Sequence, residues 1–341
     1  AAPKILILMG TPQEVLSQSL DYFQVYFAGS LAFVIYNFFV GILQAMGDSR
    51  HPLYFLIISS LTNIALDLLF VGGLGLGVWA AAFATILSQF LSAFLCLFQL
   101  MKGNEVFRLR LRDVRGDWGM LWQIVVNGVP AGVQNSIISV ANVFVQSNIN
   151  AFGATAVAGC GSYSKIEGFG FLPVTCFALA LTTFTSQNLG ARKYERAKKG
   201  AVIGAVCSLC VAEFIALCIN LFSPWLIGAF GGGQEAVSYG VAWARTVTWF
   251  YFLLAFSHCM AGILRGAGRS VVPMFVMMIC WCVIRVGYIS VIVRWIPNIR
   301  VIFWAYPLTW FLSSVVFLIY FLKSDWIHGL EKHRGKPVHT A

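Results

Sequence analysis

Charge is what this sequence has least of. Only 11% of its 341 residues are Asp, Glu, Lys or Arg, where a soluble chain carries roughly a quarter. Acids are scarcest, 13 against 23 basic residues. A chain this poor in charge cannot dress a solvated globule, so a water-soluble domain is excluded. Histidine is sparse too: His51, His258, His328, His333 and His339 show no metal-ligand spacing. Only His258 falls inside an apolar run, which argues against a membrane-embedded enzyme built on Ser–His or His–acid pairs. No cofactor or resident metal is expected. The pair Cys207-x-x-Cys210 has no second pair, so the nine cysteines, all in apolar segments, read as buried inert thiols rather than a zinc or redox centre. The opening residues offer no basic n-region and no small-residue cleavage site, so they do not read as a signal peptide. Ala1–Met9 reads as the end of a helix.

What fills the chain is apolar: 59% of residues, with a mean hydropathy of +0.80. The apolar runs are long and the polar loops between them short, the pattern of a polytopic helical membrane protein. Nine spans are predicted, near 20–45, 53–71, 77–101, 119–147, 156–186, 201–222, 237–264, 272–293 and 301–322. Each is long enough to cross ~30 Å of hydrocarbon.

The net charge of +10 raises nucleic acid as a partner, but its distribution argues against that. Seventeen of the 23 basic residues sit in alternate loops, among them five between 102 and 115 and five between 192 and 199. That asymmetry is the positive-inside rule. It places those loops and the C-terminal tail in the cytoplasm, with a plasma-membrane location. The run Arg192–Lys199 reads as a solvated turn, with anionic lipid headgroups a lesser alternative.

One phrase occurs twice. Residues 41–54 read GILQAMGDSRHPLY and residues 262–275 read GILRGAGRSVVPMF, 221 positions apart. At the same offset Gly10, Gln13, Glu14 and Ser17 match Gly231, Gln234, Glu235 and Ser238. A register held without a gap from Gly10 to Pro52 implies two copies of one unit. Both copies have the same membrane orientation, so the repeat is parallel, with its axis along the membrane normal. The expected organisation is a partial N-terminal lobe at 1–101, a charged cytoplasmic linker at 102–118, a six-span C-terminal lobe at 119–322 and a tail at 323–341.

Several motifs carry a resemblance. Gly47-Asp-Ser-Arg-His-Pro-Leu-Tyr54, Asn63-x-x-x-Asp67, Gly128-Val-Pro130-Ala-Gly132-Val-Gln134, Lys165-Ile-Glu167, Pro173 and Ser186-Gln187-Asn188-Leu-Gly190-Ala191-Arg192 together resemble the multidrug and toxic compound extrusion family, over the whole chain and in family order. The resemblance implies twelve helices in two six-helix lobes, of which nine full ones are present here. The first two and most of the third, including the acid many members carry on the first helix, are not in this sequence. It also implies exchange of Na⁺ or H⁺ for small organic, mainly cationic compounds by alternating access.

Ionisable residues at membrane depth are costly and are functional candidates by default. Six qualify: Asp67, Lys165, Glu167, Glu213, Arg245 and Arg285. Glu167 reads either as a coupling carboxylate on a cavity or as half of a packing pair. Asn63 and Asp67 share a helix face and read either as an oxygen-rich site for a hard cation or as interhelical hydrogen bonding. Glu213 and Arg245 lie at matched depth on consecutive spans and read as a structural pair. Arg285 reads as structural, since a fixed cation repels cationic cargo. Gln134, Asn135 and Asn142 follow Pro130, which should kink its helix, and these amides with Tyr251 read as a cavity wall. Packing alone explains the same residues equally well. Aromatics such as Trp304, Tyr306 and Trp310 read mostly as interface or core positions, with a few able to line a cavity and stack on planar cations, and the sequence does not pick which.

The reading is thus an all-α polytopic membrane protein, a two-lobe monomeric antiporter. The alternatives are a flippase for lipid-linked saccharides on the same architecture, which needs several cations around a phosphate, and a fragment that does not transport.

Overall fold

A computed structural model of the chain describes Pro3 and residues 13–102, 109–110, 112, 115–231 and 233–328. Gly10 of the repeat, most of the linker and most of the tail lie outside the described residues. Among the described residues there are helices and no strand. Among the described residues eight helices or continuous helical runs are long and apolar enough to cross a membrane, or nine if a pair bent by 43° at Gly29 counts as one.

The chain divides into two compact units, Ala1–Gly116 and Asp117–Ala341. The first contains α1 (Gln13–Ala28), α2 (Ser30–Ala45), α3 (Arg50–Asp67) and α4 (Trp79–Lys102). A π-helical stretch, Leu68–Gly73, continues α3. Helix α4 is the centre of this unit and packs on the other three. The predicted span at 20–45 is α1 plus α2, broken where a Cβ on Gly29 would run into the Ile86 side chain.

The second unit holds α5 (Trp118–Asn150), α6 (Ala154–Gly190), α7 (Tyr194–Gly228), α8 (Gln234–Val247), α9 (Tyr251–Gly266), α10 (Val271–Met277), α11 (Arg285–Trp295) and α12 (Ile299–Lys323). Asp117 caps α5 by accepting from the Met120 N–H at 3.0 Å. Two spans are interrupted. A 3₁₀ segment, Thr248–Phe250, joins α8 to α9, and a π segment, Met278–Ile284, joins α10 to α11. Helix α5 continues through Pro130.

The packing follows membrane rules. Lipid tails are as apolar as Leu, so large side chains gain little by turning inward, and small residues let backbones approach. Helix α6 packs on α7, α8 and α9. Its contact with α9 is so close that a Cβ on Gly262 would strike the Ala178 carbonyl, and one on Gly266 the Thr182 carbonyl. Thr182 Oγ1 donates across this seam to the Gly262 carbonyl at 2.9 Å. Large apolar side chains such as Phe94, Val143 and Phe214 point outward from their units instead.

The repeated phrase folds the same way twice. In α2 the Asp48 N–H reaches the Leu43 carbonyl and the Gly47 N–H reaches that of Gln44; in α9 Arg269 reaches Leu264 and Gly268 reaches Arg265. This pair of bonds is the Schellman cap. It needs a left-handed residue, and Gly47 (φ 87°) and Gly268 (φ 74°) supply it. In both copies Ser is the N-cap and Pro is the third residue of the next helix. After that the copies diverge, since the two π segments do not correspond under the 221 offset.

Candidate functional site

The C-terminal unit contains two adjoining chambers of about 260 and 220 Å³. Asn142, Ser164, Glu167 and Tyr306 line both. Helical periodicity explains the wall. On α6 Ser164, Glu167, Gly168 and Phe171 fall at i, i+3, i+4 and i+7, one face of the helix, and all four line the larger chamber. On α5 Ile138 and Asn142 are a turn apart, as are Tyr306 and Trp310 on α12, and all four line it too. Trp281, in the π segment, and Arg285, at the start of α11, complete it with Leu254.

The aromatic rings are held in place by polar contacts behind them. Trp281 Nε1 donates to Ser313 Oγ at 3.0 Å, and Ser313 in turn shares a bond with Ser257 Oγ at 2.8 Å. His258 lies edge-on between the rings of Phe171 and Trp281, 4.9 and 5.3 Å away. Trp243 stacks on Phe303 at 5.2 Å and also meets Tyr306. The walls are therefore fixed planes on which a flat ligand can stack.

Glu167 is half-buried and makes no ion pair; among the described residues the ion pairs are Asp48–His51, Glu195–Lys198 and Asp325–His328. Lys165, two residues earlier, points elsewhere and lies 5.2 Å from the Phe230 ring centroid.

Of the residues expected to line a cavity, Asn142 does so. Gln134 does not: it is buried and its Nε2 contacts Met277 Sδ at 2.8 Å, which ties α5 to α10. Asn135 is exposed and outside both chambers. Tyr251 is buried one layer behind the wall, its hydroxyl bonded to that of Tyr163 at 3.0 Å. The expected pair of Glu213 and Arg245 is not formed. Arg245 is exposed, and Glu213 accepts instead from the Phe252 N–H at 2.7 Å. The 3₁₀ break just before Phe252 explains the exchange, because it interrupts the helical hydrogen-bond ladder there. The register of the two spans, set by Asn220 donating to Thr248 Oγ1 at 2.9 Å, puts Glu213 level with Phe252 and about two helical turns from Arg245.

In the N-terminal unit Asn63 Nδ2 reaches Thr85 Oγ1 at 3.5 Å. Asp67 Oδ1 is buried with no hydrogen-bond partner, at the point where α3 passes into its π segment. Asn63 lies one helical turn before Asp67, and a carboxylate with an amide on the same face is a donor set that suits a hard cation.

Sequence reasoning missed Arg285, Trp281 and Ser164 as cavity residues and could not choose Tyr306 and Trp310 from the other aromatics. The only signal available was the rarity of Arg at membrane depth.

Known proteins agree with this architecture. The chain is 27% identical over 322 residues to the probable multidrug resistance protein YpnP of Bacillus subtilis, covering 94% of this chain and 72% of that protein. It is 28% identical over 326 residues to the probable multidrug resistance protein NorM of Thermotoga maritima, 92% of this chain and 68% of that one. A solved outward-facing multidrug resistance MATE family transporter of the MOP superfamily superposes with a TM-score of 0.87 at 24% identity, over 97% of this chain and 74% of that one. The family model described as MatE matches residues 1–69 and 130–289. The family and these relatives are transporters rather than enzymes, and this polytopic chain belongs to the MatE family.

Proposed function

We propose that the protein is a secondary-active efflux antiporter of the plasma membrane, exchanging Na⁺ or H⁺ for small organic, mainly cationic compounds by alternating access, with its C-terminus in the cytoplasm. The observation that carries this reading is Glu167, a carboxylate without an ion pair on the aromatic wall of a chamber within a membrane-spanning helix. Such a group attracts a cation, and ring faces add cation–π attraction. Proton and cargo then compete for one carboxylate, so that binding of one releases the other. Asp67, Asn63 and Thr85 form a second candidate cation site, in the N-terminal unit. The flippase alternative calls for several cations around a phosphate, and Arg285 is the single cation among the residues lining the two chambers.

The test is Glu167→Gln in membrane vesicles carrying the protein. Export of a fluorescent organic cation should fall at least tenfold with expression unchanged. Acidification should weaken cargo binding in the parent, because a protonated acid no longer attracts a cation, and the variant should lose that dependence. Export at the parental rate with the parental pH response would move the coupling site to Asp67 or elsewhere.

A further inference from the structure

Glu213 is an acid at membrane depth that the chambers do not use. It stands near the middle of α7, a helix of 35 residues, so either headgroup layer is about 15 Å away. Acids at such depth almost always face a bundle interior or water. Glu213 instead lines a groove whose rim residues Phe214, Leu217 and Trp249 are exposed. The groove holds about 280 Å³, at the small end of ligand sites. It shares no lining residue with the two chambers.

Helical spacing builds one wall. Glu213, Ala216, Leu217 and Asn220 fall at i, i+3, i+4 and i+7 on α7, one face of the helix, and all four line the groove. Ala216 is buried, and its single methyl group leaves the space open. The 3₁₀ segment between α8 and α9 supplies the opposite wall, Thr248 and Trp249. Two hydrogen bonds hold the walls together. Asn220 Nδ2 donates to Thr248 Oγ1 at 2.9 Å, and the Phe252 N–H donates to Glu213 Oε1 at 2.7 Å. The second bond fixes the carboxyl in place without neutralising it. Glu213 is the single charged residue lining the groove, and no described Lys, Arg or His lies within ion-pair distance of it.

One carboxyl among apolar rims, open to hydrocarbon, complements a molecule with one basic nitrogen and an apolar body. We infer that this groove is a docking site for lipophilic amines dissolved in the bilayer, with the nitrogen on the Glu213 carboxyl and the apolar part against Phe214, Leu217 and Trp249. Two routes reach the same complex. A carboxylate meets an ammonium, or a carboxylic acid passes its proton to a neutral amine, and each ends as an ammonium–carboxylate pair. The Trp249 ring adds a face on which the cation can rest. The ammonium of a phospholipid is excluded by depth, because its phosphate keeps it at the membrane surface. The inference stands apart from the antiport reading, which rests on Glu167.

The experiment compares two photoreactive probes of equal length, dodecylamine and dodecanol, each carrying a diazirine on the same carbon. The purified protein in lipid nanodiscs is labelled at equal mole fractions of probe, and the labelled peptides are mapped by mass spectrometry. In the parent the amine should label residues 213–220 and 248–252 at least about tenfold more than the alcohol, the scale of one charge-assisted hydrogen bond. Excess unlabelled dodecylamine should remove that labelling. Glu213→Gln retains an acceptor for the Phe252 N–H and should bring the amine down to the level of the alcohol. Leu217→Trp fills the groove from its exposed rim and should lower labelling by both probes. Glu167→Gln should leave labelling of the groove unchanged.

Equal labelling by amine and alcohol in the parent would overturn the inference and leave the groove a slot for acyl chains. A Glu213→Gln variant that keeps the amine preference would overturn it as well, as would labelling that follows Glu167 rather than Glu213. Export by Glu167→Gln decides the antiport reading alone, whereas labelling of the groove decides only this one.

Discussion

The seam between α6 and α9 allows a sharp test, because the repeated phrase supplies its own control. Replacing Gly262 by Ala places a methyl group against the Ala178 carbonyl, within 3.1 Å of its carbon and 3.2 Å of its Cα. These are backbone atoms of a buried residue, so no side chain can swing aside. Relief requires the helices to separate, and overpacking of this kind costs ~1–3 kcal/mol. Separation also stretches the Thr182 hydrogen bond to the Gly262 carbonyl, which is now 2.9 Å. Interhelical bonds of this type average ~0.6 kcal/mol. The expected destabilisation is therefore about 2–4 kcal/mol. At the equivalent position, Gly41, an added methyl group would meet nothing within 4 Å among the described residues, and Ala there should be neutral or gain up to ~1 kcal/mol of helix propensity. Unfolding in detergent micelles titrated with dodecyl sulfate, followed by tryptophan fluorescence, reads both. Equal midpoints for Gly262→Ala and Gly41→Ala would refute the close-packing argument.

Other consequences are as direct. Glu213→Gln and Arg245→Gln should have additive effects in a double-mutant cycle, with a coupling below ~0.5 kcal/mol; a coupling above ~1 kcal/mol would restore the pair. Arg192 closes α6 at φ 56° with the bonds of a Schellman cap, Lys193 to Asn188 and Arg192 to Leu189. Relieving that left-handed strain, Arg192→Gly should stabilise the protein by ~1 kcal/mol in the same titration, and a lower midpoint would contradict it. Gly268→Ala should cost ~1–2 kcal/mol, because its left-handed backbone then carries a Cβ; an unchanged midpoint would show that the cap tolerates one.

Much of the fold was legible because a bilayer imposes simple rules. Span length, apolar runs and the Gly–Ser–Pro punctuation of the repeat all mark where a helix must end. The Schellman caps at Gly47 and Gly268 follow from that punctuation. Glu167 was legible as a candidate because carboxylates are rare at its depth, and its helical period then fixes which α6 neighbours share its face. Register and azimuth were not legible. Glu213 lies level with Phe252, about two turns from Arg245, so the depth match expected from the sequence does not hold. Neither the 3₁₀ segment Thr248–Phe250 nor the π segment Met278–Ile284 contains Pro or Gly, so nothing in the sequence announces them. That Arg285 lines the chamber was not legible either, since its direction depends on the segment that precedes it.

That π segment has a consequence for how such a protein changes over time. A π turn is one residue inserted into an α-helix. With 3.6 residues per turn, one residue rotates everything downstream by about 100°. Arg285 begins α11 immediately after Met278–Ile284, so the guanidinium faces the chamber because of the insertion. Deleting a single residue there would swing the charge off the wall while leaving both ends of the span anchored by the turns that flank it. A lineage can thus change the charge of this chamber by a one-codon insertion or deletion, without substituting Arg285 or Glu167.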